Sequence, residues 1–267
     1  MSTATPYAEL MSTMPAVFIG HGSPMNSIET NRYTIAWREF GASIPRPRAI
    51  LCVSAHWYVN ATAVTAMQTP RTIHDFYGFP QELFNVEYPA PGSPVVAQEV
   101  VDALSPTWCG LDADSWGLDH GTWSVLTHLW PAADVPVLQL SIDAQKPIEE
   151  HIEIGRLLEP LRHQGVLILG SGNVVHNLGM IDWSNTDGGA DWAHVFDDAT
   201  RSIMNSDPAR LGEVLALPEA HAAVPTPDHF LPLAYIAGLA DAAGSSARTL
   251  LDGYTYGSLS MMSYVVD

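Results

Sequence analysis

Ala49–Ala55, which reads AILCVSA, is an apolar run of strand length, and it ends directly before His56. Two further runs follow the same pattern, Pro15–Gly20 before His21 and Val166–Gly170 shortly before His176. Short apolar runs bounded by turn residues are typical of buried strands. Because ligands of open α/β sheets bind outside the carboxyl ends of the strands, we expect these three imidazoles to gather at one edge of a sheet.

Apolar strands alternate along the chain with amphipathic helices, which is typical of an α/β fold. The predicted strands are Pro15–Gly20, Ala49–Ser54, Thr62–Met67, Val135–Ile142, Val166–Gly170 and Tyr254–Val266. The predicted helices are Glu29–Ile44, Ser93–Leu104, Gly121–Trp130, Pro147–His163, Asp191–Asn205 and Asp228–Ala240. We therefore predict one α/β domain over residues 1–267, with a central, largely parallel or mixed sheet flanked by helices. The metal site is expected at the C-terminal edge of the strands, and residues 1–14 are expected to be flexible.

Charge and composition exclude several classes of partner. The formal net charge is -18, whereas nucleic-acid binding requires basic patches, and an anionic membrane surface is disfavoured for the same reason. No apolar run approaches the ~20 residues that cross a bilayer, and Met1–Met14 lacks the basic and apolar regions of a signal peptide. We expect a cytoplasmic protein that acts on a small molecule, and the sequence is compatible with a homo-oligomer.

Five of the 11 histidines lie at turns after strands or at the starts of helices. They are His21, His56, His120, His176 and His229. Each one alone would more often be structural, but five in such positions favour a shared metal site. The other histidines need no function: His151, His163 and His194 are expected on solvated helix faces, His128 in a core or capped position, and His221 in a polar linker.

The types of ligand limit which metals the site could bind, but they do not identify one metal. The two cysteines, Cys52 and Cys109, form no CxxC pair, so the sequence disfavours thiolate zinc and redox sites. A histidine-rich site with open positions fits Zn(II) acting on water or non-haem Fe(II) acting on O₂. The sequence contains no G-x-S-x-G elbow, no complete dinucleotide-binding glycine loop, no GKS or GKT and no H-E-x-x-H.

The segment Thr69–Pro91 is rich in proline and aromatic residues and shows no clean period. Long irregular loops within compact domains are often functional, so this segment is predicted to form part of a substrate wall. The alternative is a surface excursion whose aromatic side chains dock on the core, and the sequence leaves both interpretations open.

Taken together, the motifs resemble the 4,5-DOPA extradiol dioxygenases, within the class III extradiol ring-cleavage dioxygenases. The matching segments run in order over nearly the whole chain. They are Pro15–Met25 (PAVFIGHGSPM), Val53–Trp57 (VSAHW), His74–Pro80 (HDFYGFP), Gly117–Trp123 (GLDHGTW), Val137–Ser141 (VLQLS), Leu169–Leu178 (LGSGNVVHNL) and Thr226–Leu233 (TPDHFLPL). So many ordered matches are specific to the family and not to one substrate.

The resemblance implies a metal held by His21, His56 and His229, with His176 on or beside it. It also implies that His120 and His176 face the substrate and carry the catalysis. Where the better-known class III pattern has a glutamate as third ligand, this chain reads Asp228-His229. His229 is therefore assigned as the ligand, with Asp228 behind it.

The implied reaction inserts O₂ into the ring of a catechol, DOPA-like or a related phenylpropanoid, and yields a muconate semialdehyde. Fe(II) is the metal expected for activity, and Zn(II) is also able to occupy such a site. His74, Phe76 and Tyr77 are expected to bind the substrate, with Arg71 as a candidate cation for an anionic one. The competing hypothesis is a zinc-dependent hydrolase that uses the same histidines.

Overall fold

The computed structural model describes residues 13–267, which form one α/β unit around a mixed sheet. The strands are β1 (Ala16–Gly20), β2 (Ala49–Val59), β3 (Ala63–Thr65), β4 (Gly110–Asp112), β5 (Val137–Asp143), β6 (Val166–Gly172), β7 (Arg248–Leu251), β8 (Tyr254–Thr255), β9 (Leu259–Ser260) and β10 (Ser263–Val266). The α-helices are α1 (Arg32–Ser43), α2 (Gln81–Phe84), α3 (Pro94–Leu104), α4 (His120–Leu129), α5 (Ile148–His163), α6 (Asp191–Met204), α7 (Ala220–Ala223) and α8 (Leu231–Ala242). Short 3₁₀ helices cover Pro24–Ser27, Leu178–Met180 and Pro208–Ala216.

Eight strands form the main sheet in the order β4-β3-β5-β2-β6-β1-β10-β7. Its centre is parallel, because β2 pairs with both β5 and β6, and β6 pairs with β1 in the same direction. Antiparallel pairing begins where β10 joins β1, where β7 joins β10, and where β3 joins β5. The prediction of an α/β fold with a mixed sheet flanked by helices is confirmed.

Side chains of the central strands alternate between two apolar cores, one on each face of the sheet. Ala49, Leu51 and Val53 of β2 belong to one core, and Ile50 and Cys52 belong to the other. Successive side chains of a strand point to opposite faces, and parallel sheets are covered on both faces. Residues of α3, α5 and α8 contribute to the first core, and residues of α1 and α4 to the second. The continuous apolar character of these strands follows from this double burial.

Several boundaries differ from the sequence-based predictions for physical reasons. The strands β4 and β7 were not predicted, because they are three and four residues long and only partly buried. The last helix begins at Leu231 rather than at Asp228. His151 was wrongly expected on a solvated face: it is fully buried, and its Nδ1 lies 2.9 Å from the hydroxyl of Tyr235.

Residues 1–14 were predicted to be flexible, and residues 1–12 of this segment lie outside the described part of the chain. Among the described residues, none of the helices has both the length and the apolar character that crossing a membrane requires. The cytoplasmic location and the homo-oligomer stay predictions.

Candidate metal centre

The chain brings the five selected histidines together at the carboxyl end of the parallel strands. His21 follows β1, His176 lies shortly after β6, and His229 directly precedes Phe230, the N-cap residue of α8. His120 is the first residue of α4. His56 lies inside β2, at the point where the register of the pairing with β5 shifts. Sheet topology therefore converts five separated sequence positions into one cluster.

The imidazole rings surround a common space. The ring nitrogens of His21, His56 and His120 lie within 4.8 Å of one another, a spacing that a metal ion can bridge. The Nε2 atoms of His21 and His56 face each other at 3.4 Å. The ring centre of His229 lies 5.4 Å from that of His21 and 5.1 Å from that of His56, and the His21 and His56 centres are 5.2 Å apart.

These spacings can be compared with those of bound ligands. Metal–nitrogen bonds of about 2.1 Å at tetrahedral angles separate ligand nitrogens by about 3.4 Å and ring centres by about 5 Å. His21 and His56 match both values, and the ring centres of His229 match the second. The ring of His120 lies only 3.8 Å from that of His56, and the ring of His176 stacks on that of His229 at 3.6 Å with an interplanar angle of 1°. The donor set thus fits a metal ion, with two further imidazoles beside it.

Glycines allow the backbone to bring these side chains close together. A Cβ on Gly172, at the end of β6, would lie 2.2 Å from the carbonyl oxygen of His229. A Cβ on Gly121, in the first turn of α4, would lie 2.8 Å from Cδ2 of His56. The amide of Asn173 donates to that same His229 carbonyl at 2.9 Å, so the chain after β6 and the chain before α8 are held side by side.

Oxygen acceptors orient the rings of His21 and His229. Ser171 donates its hydroxyl to the carbonyl of Gly121 at 2.5 Å, and its Oγ lies 3.0 Å from Nδ1 of His21. Because the hydroxyl proton of Ser171 is donated to the Gly121 carbonyl, the Ser171 oxygen accepts a hydrogen bond from Nδ1–H of His21. The Nδ1 of His229 donates to the carboxylate of Asp228. Both rings therefore keep Nε2 unprotonated, which is the usual arrangement for a metal-binding histidine.

Burial favours the neutral form of three of these histidines, His21, His56 and His176. It lowers the pKa of His21 and of His56 well below the ordinary value, and neighbouring histidines add to the effect. For His176, burial and then the neighbouring His229 lower the pKa to about 3. Burial by itself raises the pKa of the Asp228 carboxyl, but the hydrogen bond and charge of His229, together with hydrogen bonds from Thr226 and the backbone, lower it to about 2. Neutral imidazoles are the form that binds metals and accepts protons.

Asp75 is a functional residue that the sequence analysis missed, although it lies between the selected His74 and Phe76. Its Oδ1 lies 3.0 Å from the backbone nitrogen and 2.9 Å from Nδ1 of His120, and its Oδ2 lies 3.2 Å from Nδ1 of His56. The residue as a whole is exposed, but its side chain is turned inward and is only 19% exposed. Hydrogen bonds from His120 outweigh burial and lower the pKa of Asp75.

A second buried carboxylate, also missed, supports the start of α4. Asp119 caps the helix by accepting from the amide of Thr122, and it also accepts from Ser54 at 2.7 Å and from the amide nitrogen of Gln139 at 2.6 Å. Burial raises the pKa of Asp119. Its position before a helical run is a typical capping signal, which could have identified it in the sequence.

The aromatic segment lies beside the histidines. Phe76 presents its ring edge-on to that of His120 at 5.5 Å and packs on Phe79. His74 lies further back, with its Nε2 2.9 Å from the carbonyl of Val86, and Tyr77 is 92% exposed. The aromatic side chains of this segment dock on the core, and Phe76 also borders the cluster. The role of the segment as a substrate wall stays a prediction.

Arg71 is held away from the cluster, with its guanidinium donating to the carbonyl of Ser115 at 2.6 Å. Within residues 13–267, no arginine or lysine is hydrogen-bonded to any of the five histidines, and their charged partners are the carboxylates Asp75 and Asp228. The metal centre is thus bordered by acceptors and aromatic rings.

Comparison with known proteins identifies the family. The family described as the catalytic LigB subunit of aromatic ring-opening dioxygenase matches residues 10–267. A 4,5-DOPA dioxygenase extradiol from Escherichia coli (strain K12) is 46% identical over 255 residues, covering 94% of this chain and 93% of that protein. A protein of the same name from Beta vulgaris is 36% identical over 261 residues, covering 92% and 94%.

A solved structure supports the same relationship. The crystal structure of the uncharacterized protein JW3007 from Escherichia coli K12 matches with a TM-score of 0.84 and 41% identity, covering 95% of this chain and 100% of that one. The dioxygenases of this family depend on a metal, and a group of three histidines able to hold one is present here. The chain therefore belongs to the LigB family of aromatic ring-opening dioxygenases and is an extradiol dioxygenase.

Proposed function

We propose that the protein uses Fe(II) to cleave a catechol, DOPA or a related phenylpropanoid, with O₂ as co-substrate and a muconate semialdehyde as product. The observation that carries this proposal is the mutual spacing of His21, His56 and His229, whose ring centres lie 5.1–5.4 Å apart. Three imidazoles with open positions beside them fit an ion that must bind a bidentate substrate and O₂. The curated relatives named for 4,5-DOPA support the substrate class.

We assign His21, His56 and His229 as the ligands rather than His120 or His176. Neighbouring ligand rings on one ion have centres about 4.5 Å apart even at right angles and about 5 Å apart at tetrahedral angles. The separations of 3.8 Å between His56 and His120 and 3.6 Å between His176 and His229 are both shorter. His120 and His176 are therefore assigned to the substrate side of the centre.

The chain's own residues have distinct tasks in the proposed reaction. Fe(II), when bound, supplies the positive charge that favours the ionised catechol and a path for electrons between catechol and O₂. His176, whose ring stacks on that of His229, accepts a phenolic proton. His120, which is hydrogen-bonded to Asp75 through Nδ1, accepts a hydrogen bond from the substrate. General acid–base help of this kind contributes about 10²–10⁴-fold to rate.

Apolar walls exclude water from the reacting ring. Phe76 presents its edge to His120, so a catechol lying against His120 also contacts this ring. Aromatic rings prefer edge-to-face or offset arrangements, which contribute about 0.5–1.5 kcal/mol each. Tyr77, which is 92% exposed, would contact only the part of a substrate that extends toward solvent.

The proposal is tested by loading the purified protein with Fe(II) under anaerobic conditions and then adding L-DOPA or caffeate together with air. We expect O₂ uptake in step with formation of a yellow product, and none after treatment with a chelator. A protein that consumes no catechol in such a panel, but hydrolyses an ester or amide when loaded with Zn(II), would establish the competing zinc hydrolase instead.

A further inference from the structure

Asp75 connects two histidines that have different tasks in the proposed function. We propose that Asp75 is a positioning residue that fixes the tautomers of both the ligand His56 and the substrate-facing His120, so that each ring directs an unprotonated Nε2 toward the reacting space. The catalytic part of this inference rests on the proposed function. The part that concerns the tautomers does not.

The contacts of Asp75 define the direction of each proton. The backbone N–H of His120 can only donate, and it reaches Oδ1 of Asp75 at 3.0 Å. The same oxygen is hydrogen-bonded to Nδ1 of His120 at 2.9 Å, and because an ionised carboxylate only accepts, His120 carries its proton on Nδ1. Oδ2 of Asp75 lies 3.2 Å from Nδ1 of His56 as an ion-pair contact, and a negative oxygen at this distance favours a proton over a lone pair on that nitrogen.

The consequence for His56 is visible on the other side of its ring. Its Nε2 faces Nε2 of His21 at 3.4 Å, where a metal ion would take both lone pairs. If His56 carried its proton on Nε2 instead, that proton would occupy the space of the ion. Asp75 thus prepares the ligand without contacting the space in which the metal binds.

Asp75 is itself held by its own segment. The carbonyl of Ile73 accepts a hydrogen bond from the indole N–H of Trp123 at 2.8 Å. The Phe76 ring borders His120 and packs on Trp123, with the centres of the Phe76 and Trp123 rings 6.1 Å apart. Contacts on both sides of Asp75 therefore fix its position. The aromatic segment and the metal centre meet at this one carboxylate, which links the substrate wall to the orientation of both rings.

The substitution Asp75→Asn separates this role from a general structural one. An amide has one acceptor oxygen and one donor nitrogen, so it cannot present an oxygen to both His56 and His120 at the same time. One of the two rings must move its proton to Nε2 or lose its partner. The shape of the side chain is retained, so packing is nearly unchanged.

The experiment records nitrogen-15 spectra of the histidine rings, together with iron content and steady-state kinetics, for the full chain. In the native metal-free protein we expect both His56 and His120 to show a protonated Nδ1 and an unprotonated Nε2. In Asp75→Asn at least one of the two rings should show the opposite tautomer. After loading with Fe(II), kcat should fall by about 10²–10⁴-fold, while the KM for the catechol changes by less than about 3-fold, since Asp75 does not touch the substrate. Asp114→Asn, at an exposed turn position, is the matched control and should leave all readouts unchanged.

Two results would overturn the inference. The first is a native spectrum in which either ring carries its proton on Nε2, a measurement that does not depend on whether the variant folds. The second is a fall in kcat for Asp75→Asn while both His56 and His120 keep the native tautomer, because a residue that acts through these two tautomers cannot lower kcat and leave both unchanged. A native protein that has the expected tautomers but cleaves no catechol would contradict the proposed function and leave the assignment of the tautomers intact.

Discussion

At the scale of single residues, the proposed assignment of His229 as a ligand and of His120 as a neighbour can be tested by substitution. His229→Ala should reduce iron content after loading from about one ion per chain to a small fraction, because the ring that completes the set of three is lost. His120→Ala should retain the metal and lose about 10²–10⁴-fold in kcat, because a proton-handling group is removed. Metal analysis and O₂ uptake on both variants check this. Loss of metal from His120→Ala with retention in His229→Ala would exchange the two assignments.

The lowered pKa values of individual rings predict how metal affinity depends on pH. Burial keeps His21 and His56, two of the proposed ligands, unprotonated well below the ordinary imidazole range, so these two rings should release no proton when the ion binds. Between about pH 6.5 and about pH 5.5 the affinity for Zn(II) should therefore fall much less than the roughly 10²-fold expected for three ordinary imidazoles. Competition with a chromophoric chelator at several pH values measures the slope, and a steep cubic dependence would contradict the prediction.

At the scale of elements, the strands and helices bring the five histidines together. This arrangement requires the backbone after β6 to approach the backbone before α8 closely. Gly172→Ala would place a methyl group 2.2 Å from the His229 carbonyl oxygen, so the chain that carries His229 must move. We expect a loss of about 1–3 kcal/mol in unfolding free energy and a lower affinity for the metal. Gly212→Ala is the control, since its Cβ would meet only side-chain atoms, at 3.2 Å and beyond. Denaturant unfolding and metal titration of both variants test this, and equal behaviour would show that the approach at Gly172 is not required.

The elements also show how much of the site could be predicted from the sequence. The buried parallel strands were predictable, because double burial makes β1, β2 and β6 continuously apolar, and the histidines at their ends followed from the topology of such sheets. Asp75 and Ser171 were not predictable in the same way, since no local pattern tells which side chain an irregular loop or a glycine-rich turn directs toward a distant ring. His151 was wrongly predicted because its partner, Tyr235, lies on α8, a helix that is distant in sequence.

At the scale of the whole molecule, a buried acid outside the histidine cluster makes the unfolding free energy depend on pH. Asp197 on α6 is fully buried and accepts from the hydroxyl of Ser260 at 2.7 Å. Burial raises the pKa of its carboxyl to about 7. Between about pH 4 and about pH 7, the folded protein therefore holds a proton that the unfolded chain has released. The unfolding free energy must then fall as pH rises across this range, by about 1.4 kcal/mol per pH unit for this group, and it should level off above it.

Asp197→Asn isolates this contribution, because an amide resembles the protonated acid and cannot ionise. The variant and the native protein should have similar unfolding free energies near pH 5. Near pH 8 the variant should be more stable, by an amount on the order of 2–3 kcal/mol. The difference between the two proteins at each pH cancels the contributions of the histidine cluster and of the other carboxylates, so urea unfolding of the metal-free forms is sufficient. A difference that stays constant from pH 5 to pH 8 would mean that Asp197 is ionised in the folded state throughout, and that the cluster around Ser260 solvates its charge.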